Sequence, residues 1–263
     1  MRYTKVLLMF GFIAFFILNG CQKDTSSTAA SSSENGTLKI LLTDAPASYD
    51  AVNITFSEIA ANIDSNWVVV KSEPQTVNLL EWNNGKSIVL GDAQIPAGHY
   101  MQIRLMIDSA EVVVDGKSWP LTVPSGAQTG LKMGPDFVVE PGSTYELVID
   151  FDVQRSIVVT GPRWNPHGYK LKPHLRVVPK AITGSISGNI TNPQDGPYAY
   201  AIQNDDTLAS TMVDTLSGNF MLAYLQAGYY TVSIRDTADR SFTQDSVEVT
   251  TGKDKNIGSV TLQ

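Results

Sequence analysis

The sequence predicts an all-β protein with two antiparallel β-sandwich domains that follow an N-terminal targeting segment. From Leu38 onward, apolar and polar residues alternate with a period of two, as in strands with one buried face. The 20 Gly and 13 Pro residues punctuate these runs at the spacing of turns. Helical patterns do not alternate with the strands, which argues against a parallel sheet covered by helices.

The composition narrows the class of protein further. Of 263 residues, 43% are hydrophobic and 17% are charged, which is too apolar for a disordered chain. A net charge of -7 without basic runs excludes nucleic acid as an expected partner, because the phosphate backbone would repel the chain. The single Cys cannot form an intrachain disulfide.

Residues 1–20 have the pattern of a signal peptide. Arg2 and Lys5 precede an uncharged stretch from Val6 to Leu18, which is too short to cross the ~30 Å hydrocarbon core comfortably as a helix. The stretch ends in Leu18-Asn19-Gly20-Cys21, which resembles the lipobox of bacterial lipoproteins. This resemblance implies that Cys21 is acylated, becomes the mature N-terminus and provides a membrane partner. The alternative is a free Cys in an uncleaved anchor.

Residues 21–36 are expected to form a flexible tether. Ser, Thr and Ala dominate from Thr25 to Glu34 and offer little to bury. Lys23-Asp24 resembles the signals that send lipoproteins of some diderm bacteria to the cell exterior. The expected location is therefore the bacterial cell envelope, lipid-anchored in the outer membrane, with the cell surface favoured over the periplasmic face.

Residues 37–180 are expected to form the first β-sandwich. The alternation is clearest from Tyr100 to Asp108, and Asp115-Gly116 is a strong hairpin signal. The run from Tyr169 to Val177 also alternates, and its Pro173 predicts an edge strand or a bulge. Only Ser57 to Ile63 suggests a helical turn.

Residues 184–263 are expected to form the second β-sandwich. The sequence pattern changes between Lys180 and Gly184. Beyond this point the apolar segments are shorter, turns rich in Asp, Thr and Gly recur, and Trp no longer occurs. Roughly six or seven candidate strands suit a small immunoglobulin-like or transthyretin-like sandwich.

Both halves resemble known modules. The first carries, in order, Leu42-Thr43-Asp44-Ala45-Pro46, Ile95-Pro96-Ala97-Gly98-His99-Tyr100, Leu147 to Asp152 and Leu171 to Val178. These landmarks resemble family 4382 of domains of unknown function, found in prokaryotic lipoproteins, which implies an envelope β-sandwich without an established activity. In the tail, Gly218-Asn219-Phe220 and Ala227 to Val232 look like carboxypeptidase regulatory-like, transthyretin-type modules. That resemblance implies a spacer or a binding surface rather than catalysis.

Motifs that carry catalysis are scarce. The sequence contains no His-Glu-x-x-His, Gly-x-Ser-x-Gly elbow, phosphate-binding loop or dinucleotide fingerprint. No catalytic residue is therefore predicted. His99, His167 and His174 are expected to be solvated or locally hydrogen-bonded.

Three carboxylates give the only candidate cofactor site. If the strands that carry Asp44 and the Asp150/Asp152 pair are neighbours, three oxygen donors could converge on Ca²⁺. The favoured alternative has Asp44 bonding turn amides, and Asp150 or Asp152 paired with Arg155 or Arg176. In that case no cofactor is expected.

A loop with aromatic residues gives a candidate ligand site. Trp164, His167 and Tyr169 lie in one polar segment, and Trp82 precedes two Asn residues in another. An exposed Trp beside polar groups could stack on a sugar ring. The favoured alternative is that each Trp caps the sandwich edge and is mostly buried.

Asp-Ser/Thr-apolar triplets give candidate O-glycosylation sites. Roughly one such triplet is expected by chance, and several cluster in the tail. The acceptors are Ser109, Thr207, Thr215, Thr237 and Ser246. Ordinary turn chemistry is the competing explanation.

Together these features predict a non-enzymatic envelope lipoprotein that acts as a binding, adhesion or display module. Its partner would be a protein or a glycan. One alternative is a structural subunit of a surface assembly. Another is a carbohydrate-processing accessory enzyme that uses acidic residues such as Asp150 and Asp152. The ligand and the oligomeric state are left open.

Overall fold

The computed structural model describes residues 35–45, 47–162 and 166–263. In these ranges the protein is all-β, as predicted, and its α-helices contain only 5 and 4 residues. The expected signal peptide, Cys21 and most of the expected tether lie outside the described residues. No helix in the described part combines the length and hydropathy needed to span a bilayer.

Thirteen strands precede residue 180 and seven follow it in the described ranges. The first set is β1 (Asn35–Ala45), β2 (Ala51–Ile63), β3 (Asn66–Lys71), β4 (Gln75–Asn78), β5 (Ile88–Pro96), β6 (Gly98–Val114), β7 (Lys117–Thr122), β8 (Leu131–Met133), β9 (Phe137–Val139), β10 (Thr144–Asp152), β11 (Ile157–Thr160), β12 (Gly168–Leu171) and β13 (Leu175–Pro179). The second set is β14 (Thr183–Ile190), β15 (Tyr198–Gln203), β16 (Asp206–Met212), β17 (Asn219–Gln226), β18 (Gly228–Arg235), β19 (Ser241–Val249) and β20 (Asp254–Val260). The helices are α1 (Ser125–Thr129) and α2 (Val153–Ser156), with 3-10 turns at Leu79–Glu81 and Lys180–Ile182.

The first hydrophobic core is formed by two sheets. One has the order β13-β10-β1-β5, and the other has the order β11-β12-β7-β6-β2-β3 with β4, β8 and β9 attached to β2 and β6. Tyr100 and Phe151 are the largest fully buried side chains. The ring of Tyr100 stacks on Phe137, and its hydroxyl donates to the carbonyl of Pro96 at 2.7 Å, so its polar end is satisfied.

The second core is formed by β17-β14-β20 and β16-β15-β18-β19. Ile186, Phe220 and Val232 are among its buried residues. From residue 35 on, the described chain forms one compact unit that contains both cores. A domain boundary between residues 180 and 184 remains our prediction.

Three strand pairs are parallel, which differs from the expected antiparallel packing. They are β1 with β10, β7 with β12, and β14 with β20. A parallel pair needs a long connection, and here β10 returns to β1 only after the chain has crossed the larger sheet. Period-two patterning predicts strands and gives no information on their relative direction.

Two local expectations were wrong. Ser57 to Ile63 is not helical but continues β2, where Ile59 and Ala61 are buried and pair with β6. The run from Tyr169 to Val177 is not one strand, because it breaks at Lys172–His174 and its halves join different sheets. Pro173 lacks an amide donor and cannot continue a ladder.

The predicted hairpin at Asp115-Gly116 is confirmed. Asp115 and Gly116 have φ of 51° and 72° and connect the antiparallel strands β6 and β7. Both values suit the type I′ turn that this dipeptide favours.

Candidate functional site

The outer face of the sheet β13-β10-β1-β5 is covered by the second core. Leu41, Val148 and Val178 are buried on this face, and the partly buried Tyr224 packs against them. Tyr224 belongs to β17, so this small apolar cluster joins the two cores. The polar groups around the cluster form the candidate site.

Arg176 in β13 links the two cores through hydrogen bonds. Its Nε and Nη2 donate to Oδ2 of Asp150 in β10, at 3.2 and 2.6 Å. Its Nη1 donates to the carbonyl oxygen of Tyr224 at 2.9 Å. Burial raises the pKa of Asp150, and the charge and hydrogen bonds of Arg176 oppose that shift. Without Arg176, the Asp150 carboxylate would be buried and unpaired.

Tyr224 has a strained backbone at this junction. Its φ is 56°, a left-handed conformation that is uncommon for a bulky residue and costs about 1–3 kcal/mol. Its hydroxyl donates to Oγ of Ser87 at 3.1 Å, and the nearby amide of Met221 donates to Oδ1 of Asn84 at 2.5 Å. Contacts between the cores therefore hold a conformation that the isolated strand would avoid.

A cavity of about 310 Å³ lies beside the Asp150–Arg176 pair. The first core contributes Asp150, Arg176 and three further polar residues, namely Asp152, Arg155 and His174. The second core contributes the run from Asp206 to Ser210 in β16. Both cores are therefore needed to form this space.

The rim of the cavity is fixed by α2 and the segment that contains Pro173. Oδ1 of Asp152 accepts from the amide of Arg155 at 2.9 Å and caps α2. The fully buried Ser156 accepts from the amide of Lys172 at 2.7 Å through its carbonyl, and from the amide of His174 at 2.8 Å through its hydroxyl. These bonds place Arg155 and His174 at one rim, where both side chains are exposed.

Asp44 points away from this cavity floor. In the parallel register Asp44 pairs with Phe151, whereas Thr43 pairs with Asp150 and Ala45 with Asp152. Paired residues share a face, so Asp44 lies on the core side with Phe151. Its Oδ1 accepts from the amide of Val153 at 3.2 Å, and its Oδ2 is buried without a hydrogen-bond partner. Burial raises the pKa of Asp44 well above 3.8, and the nearby charges of Asp150 and Asp152 raise it further.

This geometry does not support the calcium hypothesis. The two strands do pair, as that hypothesis required, but their register separates Asp44 from Asp150 and Asp152 by face. Among the described residues, no group of three or more His, Cys, Asp or Glu is arranged to hold a metal ion. The favoured alternative describes Asp150, which pairs with Arg176, and Asp152, whose Oδ2 lies 3.9 Å from Nε of Arg155. Asp44 does bond a backbone amide, at Val153 rather than in its own turn.

The predicted aromatic residues do not form one platform in the described part of the chain. Tyr169 is buried and packs edge-on against Trp119, with ring centroids 5.6 Å apart. Trp82 is partly buried against the first core, and its carbonyl accepts from the side chain of Thr43. His167 is exposed, whereas Trp164 lies outside the described residues. The ligand role of this loop remains a prediction.

The remaining predicted residues lie far apart along the strands and turns. Nε2 of His99 is 2.9 Å from Oδ2 of Asp136, which is a local pair. Four of the candidate glycan acceptors are exposed and Thr207 is partly buried at the cavity. The acceptors are Ser109 in β6, Thr207 in β16, Ser246 in β19, and Thr215 and Thr237 between strands. Their glycosylation remains a prediction.

Sequence reasoning missed the second wall of the cavity. It named Asp150, Asp152, Arg155, His174 and Arg176 separately, and it suggested the Asp–Arg pairs. Apart from the candidate acceptor Thr207, it did not assign a role to β16 or Tyr224, because neither has a local signal of docking. The left-handed φ of Tyr224 is visible only in the folded chain.

Comparison with solved structures gives only weak similarities, and no curated protein matches the sequence. The TIE protein of Bacillus anthracis aligns over 87% of this chain and 34% of its own, with 11% identity and a TM-score of 0.24. This chain therefore spans about a third of that protein. The minor pilin of Streptococcus agalactiae aligns over 85% and 94%, with 9% identity and a TM-score of 0.22. A fimbrial protein of Bacteroides ovatus aligns over 87% and 50%, with 12% identity and a TM-score of 0.22. At these scores the alignments carry no argument about this chain.

The family comparison is decisive for the first half. The model described as a domain of unknown function, DUF4382, matches residues 35–173, from the start of β1 to the segment after β12. The match includes Asp150, Asp152 and Arg155 and ends just before His174 and Arg176. The resemblance of residues 184–263 to carboxypeptidase regulatory-like modules remains a prediction. Because the match covers more than half of the sequence, the chain belongs to the DUF4382 family.

Proposed function

We propose that this chain is a non-catalytic binding module of the bacterial cell envelope, held at the outer membrane by a lipid on Cys21. The observation that carries the proposal is the cavity between the two cores. Its floor is a buried ion pair, and its rim presents three exposed charged or polar side chains from both cores, namely Arg155, His174 and Asp206. Convergent polar groups in a concave space are typical of a ligand site.

The acidic residues of the cavity support binding rather than catalysis. Asp150 is held by Arg176, and Asp152 caps α2. Glycoside hydrolysis needs two carboxyl groups that face each other across the scissile bond. Asp150 and Asp152 in β10 project from one face of the sheet, and Asp44 in the neighbouring strand β1 projects from the opposite face. No opposed carboxyl pair is therefore formed by these three residues.

The anchor rests on the sequence of residues 1–34. A lipid on Cys21 would leave a tether of residues 22–34 before β1 begins at Asn35. A fully extended chain of that length reaches at most about 43–47 Å, enough to hold the folded part away from a bilayer surface. We infer that this distance lets the cavity meet a protein or glycan partner at the cell surface.

Labelling with an alkyne analogue of palmitate tests the anchor in the native host. We expect the wild-type chain to be labelled and to fractionate with the outer membrane. The Cys21→Ser variant should lose the label and the membrane association. Retention of both by this variant would refute the anchor.

Pull-down from envelope extracts with the full-length chain in detergent tests the binding role. We expect a partner that the Arg155→Ala/His174→Ala double variant no longer retains. Arg235→Ala is the matched control, because Arg235 is an exposed arginine that does not line the cavity. A partner retained equally by all three chains would contradict a role for the cavity.

A structural subunit of a surface assembly is the second candidate. The observation that favours it is the set of open edge strands, such as β5, β11 and β19, at the ends of their sheets. Such a subunit would self-associate at micromolar concentration in detergent. A monomer in analytical ultracentrifugation would argue against this candidate.

A further inference from the structure

The cavity is bounded by the edge of a strand rather than by a strand face. Five successive residues of β16, from Asp206 to Ser210, line it, including the buried Ala209. Successive side chains of a regular strand alternate between the faces of a sheet, so only every second residue could line a space on one face. Lining by five in a row means that the backbone edge of β16 forms part of the cavity wall.

This edge of β16 is unpaired. β16 is the terminal strand of the sheet β16-β15-β18-β19 and is hydrogen-bonded only to β15 within the described chain. The register of that pair shifts opposite Leu208, so the strand bulges in the segment that borders the cavity. An unpaired edge presents backbone N–H and C=O groups, which an additional extended chain can use.

The charged side chains around this edge differ in how strongly they are already paired. Three of the five N–H donors of Arg176 are used by Asp150 and the carbonyl of Tyr224, and the Asp150 carboxylate balances its charge. Arg155 makes only the 3.9 Å contact with Asp152, and it shares the rim with the exposed His174. The opposite wall carries Asp206 at the start of β16. The exposed guanidinium of Arg155, held by Asp152 only at 3.9 Å, is therefore the group of this rim that could pair with an anionic ligand group.

The lining argues against a sugar. None of the side chains that line this cavity is Phe, Tyr or Trp, whereas sugar rings are usually held by stacking on such rings. A volume of about 310 Å³ lies at the small end of the range for ligand pockets, which suits two or three residues of peptide.

We propose that the cavity binds the C-terminal end of an extended peptide. The peptide backbone would add to the free edge of β16 between Thr207 and Ser210, and the terminal carboxylate would pair with Arg155 and His174. This inference rests on the proposed binding function and names its ligand class.

Calorimetry with the full-length chain in detergent tests the carboxylate. The probe is N-acetyl-trialanine with a free C-terminal carboxylate, and the same peptide as a C-terminal amide is its control. We expect the amide to bind at least about tenfold more weakly, since it loses a charge-assisted hydrogen bond. Arg155→Ala should weaken binding of the acid by a similar factor and remove the difference between acid and amide. Arg235→Ala should leave both affinities unchanged.

Hydrogen exchange tests the strand addition. Saturation with the acid peptide should slow amide exchange within residues 207–210, and a peptide N-methylated at its central residue should fail to do so. Equal affinity of acid and amide, no effect of Arg155→Ala, or no protection of residues 207–210 would each overturn the proposal. Absence of binding at millimolar peptide would overturn it as well. If the pull-down still recovers a cavity-dependent partner, the binding function survives and only the peptide assignment fails.

Discussion

Replacing Arg176 with Ala should uncouple the two cores. The substitution removes both hydrogen bonds to Asp150 and the bond to the carbonyl of Tyr224. It also leaves the Asp150 carboxylate buried with no cation beside it. Breaking a buried pair in this way typically costs 3–5 kcal/mol. Because the side chain of Arg176 is about 23% exposed, we expect the lower end, about 3 kcal/mol.

The chain provides a way to follow the cores separately. All four Trp residues precede residue 180, so Trp fluorescence in urea reports on the first core, while far-UV circular dichroism reports on both. We expect the two signals to change together in the wild type. In Arg176→Ala the transitions should separate and move to lower urea, because the second core has lost one of its polar attachments to the first.

Two further variants isolate the pair. The double variant Asp150→Ala/Arg176→Ala should be less destabilised than the sum of the single variants, because no unpaired charge remains. Lys180→Ala is the control, since it removes a partly exposed pair with Glu146 and should cost less than about 1 kcal/mol. Coincident transitions in Arg176→Ala, with a loss below about 0.5 kcal/mol, would show that the junction does not depend on this residue.

Four other expectations concern single features. The folded state raises the pKa of Asp44 above 3.8, so the contribution of Asp44 to stability should fall as pH rises above about 4. Asp44→Asn should therefore be more stable than the wild type at pH 7 and equal to it near pH 3 in urea titrations. Excess Ca²⁺ or EDTA should leave the Tm unchanged in differential scanning fluorimetry, and a shift of several degrees would contradict the assignment of the carboxylates. Tyr224→Phe should lose about 1 kcal/mol through the bond to Ser87, whereas Tyr229→Phe at an exposed position should lose almost nothing in the same denaturation assay. Gly218→Ala should lower the Tm more than Gly252→Ala, although both glycines have φ above 70°, because only the added methyl at Gly218 would meet the carbonyl oxygen of Ile190.

The sequence predicted strands well because period-two alternation is a local signal. The hairpin at Asp115-Gly116 and six of the seven strands after residue 180 follow from it, whereas β16 was not among the predicted segments. It failed where a local preference competed with packing. Ser57 to Ile63 has a weak helical pattern, yet burial of Ile59 and Ala61 against β6 keeps it extended.

The candidate site was predictable in its parts and not in its assembly. Asp150, Asp152 and Arg176 stand out in the sequence because they are charged residues within apolar strands. Their neighbours on the second core do not, because Leu208 and Tyr224 are ordinary strand residues until the cores dock. The free edge of β16 is likewise a property of the sheet, since no local pattern reveals which strand ends a sheet.

Apolar residues determine which face of the sheet each of these carboxylates occupies. Leu38, Ile40 and Leu42 of β1 are fully buried and align with Tyr145, Leu147 and Ile149 of β10. A slip of one residue between the two strands would expose this apolar row and exchange the faces of β1. It would also move Asp44 to the face of Asp150 and Asp152, where three carboxylates could converge. The energy of burying the apolar row therefore excludes the slipped register, and with it the converging carboxylates. In the observed register, the ion pair of Asp150 and Arg176 forms the floor of the cavity that the unpaired edge of β16 borders.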